Sequence, residues 1–190
     1  MANGLISRAR QAGVVLGVGG IALLGVACAP DPAPPVPTIP PGATTVTSAV
    51  SLNCVGVGFA AGTPIAPQVA NVSITSPTTV AAGATFAATV AVAPITVSAP
   101  PAGIDLNAFN IPGKTALSAT NGTVTGGAVS GVPTHFAGAI ATIPAASTNV
   151  TAGSAGVLTL TTGQIDIITG STGFTCTVTG GAPVKTITVS

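Results

Sequence analysis

The chain contains no tryptophan and no tyrosine, one histidine and one methionine, and only 4% of its 190 residues are charged. From the proline-rich stretch near the N-terminus onward there is also no glutamate and no arginine. What is left there to ionise is Asp31, Asp105, Asp166, Lys114, Lys185, His135 and the cysteines. Each absence excludes something. Without clustered Lys and Arg nothing displaces counterions from a phosphate backbone, and without Trp or Tyr the best base-stacking platforms are gone, so nucleic acid is excluded as a partner. Acid–base and nucleophilic catalysis need a proton carrier beside a second group that tunes it, and scattered single charges rarely supply one. Calcium sites want clustered carboxylates, and zinc sites want His and Cys at short spacing. Glycosidases want two acids flanking a sugar. The expectation is a protein with no catalytic residue, no metal and no cofactor.

What is present begins with an export signal. Residues 1–27 carry Arg8 and Arg10, then the apolar run Gly13 to Ala27 ending in small residues. A run of about 15 apolar residues is short for a membrane span, which needs about 20. Leu24-Gly25-Val26-Ala27-Cys28 resembles a bacterial lipobox, in which the cysteine is acylated and becomes the mature N-terminus. It departs from that pattern at Gly25, where the usual leucine is shifted to Leu24. Two readings of Cys28 stay open: a lipid anchor, or cleavage after Ala27 by ordinary signal peptidase, whose small-residue rule Gly25 and Ala27 satisfy. Residues 28–43 follow as a proline-rich linker, with an extended, semi-rigid backbone poor in donors. Removing the signal changes the net charge from +1 to −1, because two lysines then face three aspartates.

Residues 44–190 are enough for one domain with a real core. Helix signals are nearly absent, and alternation of apolar with small polar residues recurs. Val46, Val50, Leu52 and Cys54 share a face with Ser48; Ala70, Val72 and Ile74 share another; Phe86, Ala88, Val90 and Val92 a third. Leu158 and Leu160, then Ile165 and Ile167, read as a further pair, followed by Phe174, Cys176 and Val178, and by Ile187 and Val189. Ser76-Pro77, Ala82-Gly83, Pro100-Pro101, Pro112-Gly113, Gly126-Gly127, Gly170 and Gly180-Gly181 read as turns between them. Asn121-Gly122 predicts a tight hairpin joining 117–119 to 123–125. Residues 102–111 predict a single helical turn or a covering loop. The fold class expected is all-β, a single immunoglobulin-like β-sandwich with Greek-key-type connections.

Cys54 and Cys176 fall on the apolar faces of the first and penultimate strands, and in an exported chain they are expected to form a disulfide. The cysteine closing the first strand, the segment Pro77-Thr78-Thr79-Val80-Ala81-Ala82-Gly83 and the late Phe174-Thr175-Cys176-Thr177 carry a resemblance. With the Ala/Gly/Thr/Pro-rich composition, they are similar to a family of secreted actinobacterial β-sandwich domains of unknown function. The resemblance implies a secreted or cell-envelope location and brings no catalytic residues.

His135 is the only candidate proton shuttle, with Asp105 and Asp166 its only acidic partners. There is no Gly-x-Ser-x-Gly elbow, and Asp105 reads better as a cap or turn residue and Asp166 as a solvent-face or edge residue. Asn71, Asn121 and Asn149 match glycosylation sequons of the kind a Ser/Thr-rich chain produces by chance. The five phenylalanines, at 59, 86, 109, 136 and 174, read as core. A mean hydropathy of +0.77 with so few charges leaves apolar surface to associate, contact lipid or line a cavity. A transmembrane barrel would show aromatic girdles, which are missing. The sequence thus points to a non-catalytic structural or interaction protein, secreted or held at an actinobacterial envelope. Its partners would be envelope components or further copies of itself, met through apolar surface. The alternative is a module carrying a lipid or other hydrophobic ligand.

Overall fold

A computed structural model of the chain describes residues 42–58, 64–100 and 102–190. The signal at 1–27, Cys28, the linker as far as residue 41, and Phe59 lie outside the described residues. Of the described residues 70% are in strands and none is in an α-helix. The alternating segments become β1 (Ala43–Val57), β2 (Pro64–Pro77), β3 (Thr79–Val80), β4 (Thr85–Val92), β5 (Ile95–Thr96), β6 (Pro112–Thr120) and β7 (Gly122–Val124). The rest are β8 (Ala128–Pro133), β9 (His135–Ala137), β10 (Ile140–Thr142), β11 (Ala146–Ala152), β12 (Gly156–Thr169), β13 (Thr172–Gly180) and β14 (Val184–Val189). A 3-10 turn at Leu106–Phe109 is the helical turn expected in 102–111.

The all-β expectation holds, but the pairing is not that of two separate sheets. The hydrogen-bonded order β13-β1-β2-β4-β11-β8-β6-β12 returns to β13 through the β12–β13 pair, so eight strands close into a barrel. The immunoglobulin-like sandwich is corrected accordingly. The physical reason lies in β12, whose 14 residues serve two partners in turn. Its first half pairs with β14 and its second half with β13, which also pairs with β1. Within the barrel the order β4-β11-β8-β6, with β6, β8 and β11 successive neighbours, is that of a Greek key. β5, β10 and β9 form a separate three-stranded sheet.

Inward residues fill the barrel, as the width of eight strands allows. Val50, Leu52, Val72, Ile74, Leu158, Leu160, Ile165, Ile167, Phe174 and Ile187 are all buried, each stabilising the fold by roughly 1.5–3 kcal/mol of apolar transfer. Thr45, Thr47, Ser51 and Asn53 on β1, and Thr186 and Thr188 on β14, face out. This polarity is the reverse of a membrane-spanning barrel, which turns apolar side chains to lipid. No helix among the described residues is long and apolar enough to cross a membrane.

Three expected turns are not turns. Ser76-Pro77 ends β2, in register with Thr44 and Ala43 of β1. Pro112-Gly113 opens β6: proline is tolerated as a strand's first residue, and a Cβ on Gly113 would lie 2.2 Å from Ile143 Cγ2. Asn121-Gly122 does not close a hairpin either. β7 leaves β6 and pairs with β11, matching Val124 to Val150 and Thr123 to Thr151. Asn121 takes a left-handed φ of 55° and is committed elsewhere. Its Nδ2 donates to Ser154 O at 2.8 Å and its carbonyl accepts from Gly153 N at 2.9 Å, holding the β11–β12 turn.

Candidate functional site

A concavity among the described residues sits where the 3-10 turn meets the β12–β13 hairpin. Ile104, Leu106, Phe109 and Ile111 form one wall and Thr169, Gly170, Ser171 and Thr172 the other, around about 460 Å³. Each wall has a local cause. Gly170 and Ser171 make a two-residue hairpin turn with Gly170 at φ 56°, a conformation that costs glycine nothing. The opposite wall is a short helical turn started by Asp105, whose Oδ1 accepts from Asn107 N at 3.0 Å as an N-cap. It ends at Asn110, in the left-handed region at φ 49°.

Asn107 fastens this wall to the body of the protein. Its Oδ1 accepts from Phe136 N at 2.8 Å and its Nδ2 donates to Phe136 O at 3.1 Å, so one amide imitates a paired strand residue for β9. Leu106 and Ile111 point inward and are buried, whereas Phe109 is 55% exposed and Ile104 37%. None of the described residues that line the pocket is charged, so they can hold an apolar group without a counter-charge. It lies at the end of the barrel where β1 finishes, since Val57 pairs with Gly173 while β1 begins beside Pro77 at the other end.

The structure joins Cys54 to Cys176 across the β1–β13 pair, where the two are direct register partners and fully buried. His135 is exposed on β9, and among the described residues neither aspartate bonds to it. Asp166 Oδ1 accepts from Gln164 Nε2 at 2.8 Å and Thr175 Oγ1 at 3.0 Å, on the outer face of β12. Lys185 is buried on the inner face of β14, and its ammonium donates to the Thr44 hydroxyl. Cys28 lies outside the described residues. Asn71 and Asn149 are exposed strand residues.

Three of the phenylalanines, Phe86, Phe136 and Phe174, are core as expected. Phe109 is not; it projects from the 3-10 turn and lines the pocket. Sequence reasoning also missed Asn107 and the Thr169–Thr172 wall. The available signal was the pattern Asp105-Leu106-Asn107, a capping residue followed by an amide, in a segment too short to show apolar periodicity.

No family model matches the chain, and no curated protein matches it. A crystal structure of a Corynebacterium diphtheriae protein, provisionally described as membrane anchored, is similar over 77% of this chain at 19% identity and a TM-score of 0.40. The similarity spans 38% of that protein's length.

Proposed function

We propose that the domain is a non-catalytic interaction module of the cell envelope or its exterior. The observation that carries this reading is how its few polar and charged groups are employed. Asp105 caps a turn, Asp166 is held by Gln164 and Thr175, Lys185 is buried on Thr44, and His135 stands exposed without an acid. Each is spent on structure or solvent, and among the described residues none meets a second titratable group in a cleft. A disulfide in a buried position suits an oxidising, extracytoplasmic compartment, as do the signal-like residues 1–27 and the proline-rich linker. The test is intact mass spectrometry and cell fractionation of the protein from its native cells. A mass beginning at Cys28, with or without a diacylglyceryl group, in the envelope or medium is expected. A full-length mass in the cytosol would refute the reading.

The pocket favours a second, compatible reading, in which the module takes up a hydrophobic ligand. Pockets of a few hundred Å³ lined by apolar side chains are the usual form of such sites. Fluorescence titration with an environment-sensitive apolar dye measures this. Binding that Phe109→Asp weakens ten-fold or more is expected; equal binding by the variant would assign the dye to another surface.

A further inference from the structure

One stretch of backbone in this barrel is left open. From Ser51 onward β1 is paired on both edges, with β2 on one side and β13 on the other. Residues 43–48 pair only with β2 among the described residues, Ala43 with Pro77 through to Ser48 with Val72. β14 comes near β1 without pairing to it. β14 continues the line of β13 along β12, but its own outer edge goes to β3 at Thr188 and Val189. Only the Lys185 ammonium reaches across, to the Thr44 hydroxyl.

Natural proteins blunt such edges with lysine or proline on the strand, with a bulge, or with an inward-pointing charge, and of these the edge has the last, in Lys185. Here the strand reads Ala43-Thr44-Thr45-Val46-Thr47-Ser48, with no charge, no proline and no register break, and Thr44, Thr45 and Thr47 are exposed. The segment that precedes it in sequence is rich in proline. Prolines at 30, 32, 34, 35, 37, 40 and 41 remove the donors that a ladder requires. The sequence of the edge itself indicates what would pair with it. Thr44-Thr45-Val46-Thr47-Ser48 is nearly palindromic about Val46. Laid antiparallel against itself, it sets Thr44 opposite Ser48, Thr45 opposite Thr47 and Val46 opposite Val46. Hydroxyl pairs and a β-branched pair are favourable cross-strand matches, and no like charges meet.

We propose that Ala43–Ser48 is a docking edge for a second copy of this chain. The two β1 strands pair antiparallel across a two-fold axis at Val46 and form an isologous dimer. This stands apart from the pocket, which lies at the opposite end of β1.

The test uses the full chain, exported from a bacterial host and followed by sedimentation velocity over a concentration series. The wild type is expected to dimerise reversibly. A Thr45→Lys/Thr47→Lys variant sets lysines against lysines and is expected to associate at least ten-fold more weakly; Thr45→Glu/Thr47→Glu should behave likewise. Mixing the two variants should restore a one-to-one dimer. A second readout does not depend on those variants folding well: Val46→Cys should yield a dimer on a non-reducing gel, with peptide mapping placing the bridge at position 46 of both copies. A wild type that stays monomeric throughout would overturn the proposal. So would a dimer that survives both charge variants, or one whose Val46→Cys form does not cross-link at that position.

Discussion

Two buried threonine hydroxyls, Thr134 Oγ1 and Thr162 Oγ1, have no hydrogen-bond partner among the described residues. A buried unpaired hydroxyl costs about 1–3 kcal/mol, so replacing it with a methyl of the same shape should relieve that cost. Thr162→Val is therefore expected to stabilise the fold by about 1 kcal/mol, read as a higher urea midpoint at unchanged slope. A lower midpoint would mean the hydroxyl is satisfied after all. Asn107 argues in the opposite direction. Its amide serves both backbone groups of Phe136, and Asn107→Ala leaves them unmatched while undocking the pocket wall. The expected loss is about 1–3 kcal/mol, together with weaker uptake of an apolar dye. If the dye binds unchanged to a destabilised variant, Asn107 supports the fold without shaping the pocket.

At the scale of elements, the disulfide decides how firmly the barrel stays closed. The bridge closes a loop of 122 residues between the first strand and the penultimate one. In the chain-entropy model a loop of that size stabilises by about 3–5 kcal/mol. Cys54→Ser/Cys176→Ser, or reduction of the wild type, should lower the unfolding free energy by that order. An unchanged midpoint under reductant would show that strand pairing alone holds β1 to β13. The same elements show what was legible in the sequence. The inward faces of β1, β2, β4 and β13 followed directly from alternation, because a half-buried strand exposes every second residue. β12 was harder. Its buried positions are even at Leu158, Leu160 and Thr162, then odd at Ile165 and Ile167, with Gly163 between. That change of phase reads as two strands, yet it is one strand with a register irregularity against β6. The Asn121-Gly122 hairpin failed for a related reason. Turn chemistry sets the local backbone, but the choice of partner belonged to β11, which is distant in sequence. The pocket was illegible because its walls are a four-residue turn and a hairpin tip, neither long enough to carry a pattern.

For the molecule as a whole, the question that composition raised most sharply is whether so apolar a chain belongs in a bilayer. A closed barrel sharpens it further, since closed barrels are one of two architectures that can span membranes. The direction of the side chains answers it. The fully buried Val, Leu, Ile and Phe side chains fill the interior, and rows of threonine and serine cover much of β1, β12 and β14 outside. Such a barrel inserted in lipid would strand its hydroxyls without partners and leave no aqueous lumen, so it gains nothing by insertion. We propose that membrane attachment, where it occurs, resides in the segment before the domain, at Cys28, and not in the domain. A Cys28→Ala chain retains Gly25 and Ala27 for ordinary cleavage, and after export it is expected to enter the aqueous phase of a Triton X-114 extraction. If the wild-type protein enters the detergent phase under the same conditions, the difference measures the anchor alone. A Cys28→Ala protein that still partitions into detergent would contradict the inward packing, because the barrel itself would then have to present an apolar belt.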